Sequence, residues 1–487
     1  MRVQDLLTEA LTVATGPVVA VLTERYETNL RWAANALTTN GEMHARSLAV
    51  TATAEVEGGT AVATVVADLA DVSDVAAVVA AAEAAARAAS PADEPVPFVG
   101  PASSGEDGCP PDEDFEAEPV PTSVETLAAV AAGLGRAFRQ AEADGHLLYG
   151  FAEHIVETVY LASSTGLRRR GVDPEGRLEL NGKSVDVGPR SASDENPAGG
   201  MGGRPPAQTP SAWVGQQTRT FADVDVDGLY AEVAQRLGWA RRTVDLPPGR
   251  YETLLPPGAV ADLMVYASWT ASARDAEDGS NVFAAGEGRT RVGERLTPLP
   301  VTLLSDPVWP GEETLPFVAS TASSDGTSFS FDQGLPVEQV RWLDDGVLTE
   351  LIRNRGHGAA TRQPATPAAH NLVMDAGGTA TLAEMVARTE RGLLLTCFWY
   401  IREVDPERLL LTGLTRDGVY LVEHGEVVAA VNNFRWNESP IELLGRVTEV
   451  GASVPVLCRE WNDYITKTVM PPLRVPDFNM STVSQAS

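Results

Sequence analysis

Four glycine-ended dipeptides constrain this chain most: Gly58-Gly59, Asp345-Gly346, Asp417-Gly418 and His424-Gly425, each set between alternating apolar runs. A tight hairpin turn needs residues that accept a positive φ, and Gly and Asp are among the few that do so cheaply. The spacing predicts a hairpin over residues 47–66 near the start and a large antiparallel sheet in the C-terminal half. Strands are also expected at Val18 to Leu22, at Phe151 to Ala162 with one face partly polar, and as a pair over Leu178 to Val187 and Trp213 to Phe221.

Helical periodicity fills the intervals. Val3, Leu6, Leu7, Ala10 and Leu11 share one face. An Ala-rich helix ending near Ser90 is expected to be capped by Asp71 or Ser73. Further helices are expected over Val124 to Asp144 and Val226 to Trp239, and after Pro256-Pro257, where Val260, Leu263, Met264 and Ala267 form the apolar stripe. Ser439-Pro440-Ile441-Glu442 reads as a capping box opening a short helix near Pro440 to Val447.

The resulting expectation is an α+β protein of two domains divided near Pro247-Pro248-Gly249. Residues 1–245 would form an α/β sandwich-like domain, and residues 246–487 a largely antiparallel β domain with few helices. Two stretches interrupt the first domain. Residues 91–123 carry nine acidic residues and eight prolines with no Lys or Arg, the composition of a disordered acidic insert. Residues 188–211 are rich in Gly, Pro and Ser and read as a flexible loop.

A net charge of -30 over 487 residues argues against nucleic acid and anionic membrane surfaces as partners. No apolar run reaches the roughly 18 residues of a membrane span, and a cytoplasmic location is expected. Cys109, Cys397 and Cys458 are few, scattered and odd in number, as in a reducing compartment.

A hydrolytic metal needs imidazole, carboxylate or thiolate ligands that converge on it. Of the six histidines, His44, His146, His154, His357, His370 and His424, no two are spaced to share a helical face beside a Glu. Arg353-Asn354-Arg355-Gly356-His357-Gly358 reads as a glycine-flanked basic loop in which Arg353, Arg355 and His357 form a possible substrate groove for a carboxylate. Cys397 lies in an apolar run and reads as core. No nucleophile elbow or phosphate loop is present, and the residues by themselves form no complete active site.

Several ordered segments nevertheless resemble the TldD/PmbA family, in particular its TldE-type branch: Arg250 to Pro257, Ser272-Ala273-Arg274-Asp275-Ala276, Phe398 to Asp405, Thr412 to Gly418, Asn433 to Pro440 and Leu473 to Phe478. The catalytic members of that family carry a His-Glu-x-x-x-His zinc motif on a helix, with a distant Cys as a further ligand. By this resemblance the motif would fall on Asp262 to Ala267, so that Asp262, Leu263 and Ala267 stand at degenerate metal-motif positions. Cys458 lacks the Cys-Gly pattern of the catalytic branch.

The resemblance implies a non-catalytic subunit with no cofactor of its own, paired as a heterodimer with a TldD-like zinc-bearing partner that cleaves unfolded or leader peptides. Two alternatives stand beside it. One is a homodimeric peptide-binding scaffold. The other is a self-sufficient enzyme with a repurposed site drawing on His146, His154, His357 or Cys458.

Overall fold

The computed structural model describes residues 2–69, 74–101, 114–185, 210–286, 288–319 and 330–484. Its N-terminal part is a six-stranded, wholly antiparallel half-barrel: β1 (Val18–Ala33), β2 (Ala36–Val56), β3 (Gly59–Asp68), β4 (His146–Ser163), β5 (Arg168–Ser184) and β6 (Ser211–Thr218), in the order β3-β2-β1-β4-β5-β6. Glu57-Gly58 closes the first expected hairpin, with Val56 opposite Gly59. The strands run much longer than the apolar runs that announced them. Polar residues in their outer halves are satisfied across the sheet, as where His44 and Arg46 of β2 both bind the fully buried Glu24 of β1.

Four helices cover one face of this sheet. α1 (Val3–Val13) and α2 (Val75–Ala88) pack Leu7, Ala10, Val79 and Ala82 against Leu22, Leu48 and Tyr160. α3 (Ala128–Asp144) and α4 (Val226–Trp239) pack Leu134, Ala137, Val233 and Leu237 against Leu148 and Leu180. Asp74, not the expected Asp71 or Ser73, caps α2 through Ala77 N–H; the two expected caps lie outside the described residues. Gly145, left-handed at φ 71°, ends α3.

The segment read as a disordered insert is packed where it is described. Phe98 and Val99 are buried beside Val19, Val21 and Phe331, so two apolar residues anchor a composition that otherwise favours disorder. Residues 102–113 lie outside the described residues, as does most of the loop expected at 188–211.

The C-terminal part differs from a single large antiparallel sheet. It holds two mixed sheets around a central helix, α5 (Pro257–Trp269). One sheet has six strands, with Leu372–Asp375 parallel to Thr468–Met470 near its middle. The other has ten, with Arg391–Leu395 parallel to Gly249–Leu255 at its centre and the short strand Thr243–Val244 at one end. Asp345-Gly346 and His424-Gly425 close hairpins, each with both residues at positive φ. Asp417-Gly418 does not: the strands on its two sides, Leu410–Thr415 and Val419–Glu423, lie apart in the ten-stranded sheet.

α5 exceeds its expected stripe, because Ala259, Ala261, Asp262 and Val265 are buried as well as Val260, Leu263, Met264 and Ala267. A helix apolar on nearly every side belongs inside a protein, and α5 sits in the largest apolar cluster, with Leu303, Leu393, Leu443 and Met470. The Ser439-capped helix ends at Leu444, with the Ser439 hydroxyl accepting from Glu442 N–H. Among the described residues no helix is long and apolar enough to cross a membrane.

Candidate functional site

Along β4 and β5 the side chains alternate between the helix-covered face and the inner face of the half-barrel. One end of the inner face is apolar and packs Val159 and Leu161 against Phe317 and Phe331 from the C-terminal part. The other end is a charged trough, set by period-two placement of Glu153 and Glu157 on β4 and of Asp173, Glu175, Arg177 and Glu179 on β5. C-terminal segments close over this trough, and the contacts between them are specific.

Arg177 donates to Glu153 at 3.1 Å and to Asn462 Oδ1 at 2.8 Å. Asn462 donates to Glu179 at 2.7 Å, and Glu179 also accepts from Trp213 Nε1 at 2.7 Å. Gln217 donates to Glu312 at 2.6 Å and to Thr468 O at 3.1 Å, while its own carbonyl accepts from Thr468 N–H. Lys467 is 3% exposed and is paired with Asp173. Burial pushes the Glu312 carboxyl up to about 8, opposed by Lys467 and Arg219. Burial likewise raises Glu153, against the lowering effect of Arg177.

The α5 positions singled out by the resemblance contact the same C-terminal segment that closes this trough. Asp262 is 0% exposed; its Oδ1 accepts from Glu460 N–H at 2.8 Å, Trp461 Nε1 donates to its backbone carbonyl at 2.9 Å, and Oδ2 has no hydrogen-bond partner. Burial holds its carboxyl well above the ordinary range. Leu263 and Ala267 are buried core residues. Cys458 is close enough for the Asp262 charge to help burial raise its thiol, and its Sγ contacts Ile465 O at 3.1 Å.

Two donors, both favoured in their neutral forms, do not make a zinc site, which takes three or four deprotonated ligands. Among the described residues no group of three His, Cys, Asp or Glu converges as a metal site would require. The residues present at the motif therefore do not fit the family's metal.

Arg353, Arg355 and His357 lie on neither surface. Their segment is not a loop: Asn354 caps a short helix, Arg355–Thr361. Arg353 is buried, with its nearest acceptor Pro364 O at 3.4 Å. His357 is buried between Glu94 at 3.2 Å and Glu277 at 3.0 Å. Arg355 donates to Pro97 O and Phe331 O at the border of a separate 880 Å³ cavity.

The other histidines of interest are also engaged internally and do not meet. His146 contacts Tyr230 Oη at 3.1 Å, while His154 lies between Thr122 at 2.6 Å and Arg219 O at 2.8 Å. Sequence reasoning missed Lys467, Glu312 and Glu175. The one signal was for Glu175, in the run of charges at every second residue from Asp173 to Glu179.

Comparison with known proteins agrees with this architecture. Over 98% of this chain and 99% of the other, the fold is similar to TldE from Thermococcus kodakarensis, with TM-score 0.75 and 16% identity. It is also similar, with TM-score 0.73 and 16% identity, to a Thermotoga maritima protein described as a candidate modulator of a DNA gyrase, covering 98% of this chain and 99% of that one. A protein so described from Bacteroides thetaiotaomicron matches with TM-score 0.71 and 14% identity over 99% and 98% of the two chains. No curated protein sequence matches. Residues 248–482, which include α5 and most of both C-terminal sheets, match the PmbA/TldA metallopeptidase C-terminal domain, which places that part of the chain in the PmbA/TldD metallopeptidase family.

Proposed function

We propose that this chain is the non-catalytic, TldE-type subunit of a two-chain metallopeptidase, in which a TldD-like partner carries the zinc and the two chains together enclose unfolded or leader peptides. The observation that carries this reading is the chemistry of α5. Where a catalytic relative would present His, Glu and His, this helix presents one buried carboxyl and two apolar core residues. Asp262 is held by the backbone of residue 460, a hydrogen bond that ties the helix to the Cys458 loop without a metal.

The chain's own contribution is then to shape and line the enclosure. An extended peptide lies against strands and trough walls through backbone contacts, which suits substrates of varied sequence. The test is reconstitution. The purified chain is expected to hold no stoichiometric zinc and to leave an unfolded peptide such as reduced, alkylated insulin B chain intact. Mixing with a TldD-like chain is expected to give a stable complex that cleaves it. Stoichiometric zinc and cleavage by this chain alone would overturn the reading, and a stable homodimer that never takes up the partner would replace it with a peptide-binding scaffold.

A further inference from the structure

Three cavities on the inner face of the half-barrel, of 590, 120 and 300 Å³, share one lining residue, Glu175. The charges around it are matched. Arg25 donates to Glu157, Arg177 to Glu153, and Lys467 to Asp173. Among the described residues Glu175 is held only by long contacts: Lys467 Nζ at 3.7 Å and His370 Nδ1 at 3.8 Å are both beyond hydrogen-bond length.

A second acceptor stands at the same place. Thr466 is 7% exposed, its Oγ1 has no hydrogen-bond partner, and it lines the two smaller cavities together with Glu175. A buried hydroxyl without a partner is costly; it accepts as well as donates, and a carboxylate oxygen accepts. The group complementary to both is a compact cationic donor, and an ammonium suits the 120 Å³ cavity. The 590 Å³ cavity beside it has Ile155, Val159, Leu315, Ile352 and Pro367 in its wall, a surface for aliphatic side chains.

From this geometry we infer that Glu175 and Thr466 form a subsite for a primary ammonium group of a peptide, either its amino terminus or a lysine side chain, with the larger cavity receiving the neighbouring apolar residues. The inference rests on the peptide-handling role proposed above and adds the chemistry by which this chain recognises a peptide.

Calorimetric titration of the full chain alone tests it, using three pentapeptide amides of alanine and leucine. One has a free amino terminus, one is acetylated, and one is acetylated with a central lysine. At least one amine-bearing peptide is expected to bind about ten-fold or more tightly than the neutral one, the scale of one close charge pair. Which of the two binds tighter identifies the source of the ammonium.

Glu175→Gln is expected to bring the amine peptide down to the neutral peptide's affinity, and Thr466→Val to weaken it several-fold. Should either variant fail to fold, raising salt on the unaltered chain still separates the peptides, because only the amine-dependent part is screened. Equal binding of all three peptides, no binding of either amine peptide, or full affinity in folded Glu175→Gln would overturn the inference. The titration contains neither zinc nor partner, so its failure leaves the subunit reading standing, and failed reconstitution leaves this result standing.

Discussion

Glu312 shows how a single residue in the trough couples to pH. It is 5% exposed, and burial pushes its carboxyl up to about 8 from an ordinary value of 4.5. Between those two values the folded chain binds more protons at this group than the unfolded chain does, so stability falls as pH rises. The contribution of the neutral carboxyl is fully present below about 4.5 and is lost as pH passes through about 8. Glu312→Gln keeps an oxygen to accept from Gln217 and removes the titration. Relative to that variant, the unaltered chain is expected to lose on the order of a few kcal/mol of stability between pH 5 and pH 9. Urea denaturation at several pH values reads this as a difference of slopes, in which other raised carboxyls, such as Asp262, Asp332 and Glu153, cancel because both chains contain them. Parallel slopes would mean that Glu312 is already ionised in the folded chain.

At the scale of elements, α5 is enclosed by packing on nearly every side. Leu263 is 1% exposed within the main core cluster. Leu263→Glu, which puts a carboxylate where the resemblance would place that of the catalytic motif, is expected to cost several kcal/mol without binding zinc, because an unpaired charge enters the apolar interior. Leu263→Met, of similar volume, is expected to cost less than about 1.5 kcal/mol. Denaturation with metal analysis of the folded fraction checks both, and a stable, zinc-loaded Leu263→Glu chain would show that the core around α5 opens. The sequence made this helix legible because Pro256-Pro257 marks its start and apolar residues fill it. α4 was legible end to end, from Val226 to Trp239, since its period is strong and Asp225 caps it. The outer half of β1 was not, because Glu24 is buried through His44 and Arg46 on another strand, and hydrophobic periodicity cannot register polar residues satisfied at a distance. Asp417-Gly418 has the chemistry of a hairpin turn yet joins two strands that do not pair, since local turn geometry leaves the partner of each strand open. The trough was illegible for a related reason: Lys467 meets Asp173 across 294 residues of sequence.

For the whole molecule, the trough is also a seam. The half-barrel meets the C-terminal sheets through an apolar end around Phe317 and Phe331 and a polar end in which Arg177, Gln217 and Asp173 hold Asn462, Thr468 and Lys467. An apolar contact tolerates sliding, whereas buried hydrogen bonds fix one register, so the polar end sets how the two parts dock. Lys467→Met tests this division of labour. The methionine fills similar space but leaves Asp173 without its cation, and removing one member of a buried pair costs about 3–5 kcal/mol. The loss is expected in urea denaturation, together with faster proteolysis within residues 455–468 as the segment lifts from the half-barrel. Pairing Lys467→Met with Asp173→Leu removes both charges and is expected to recover most of the stability, since two well-packed apolar groups replace an ion pair at little net cost. A Lys467→Met chain within about 1 kcal/mol of the original would instead place the pair in the class of solvated surface bridges, and the docking of the two parts would then rest on the remaining hydrogen bonds of Arg177 and Gln217 and on the Phe317 and Phe331 contacts.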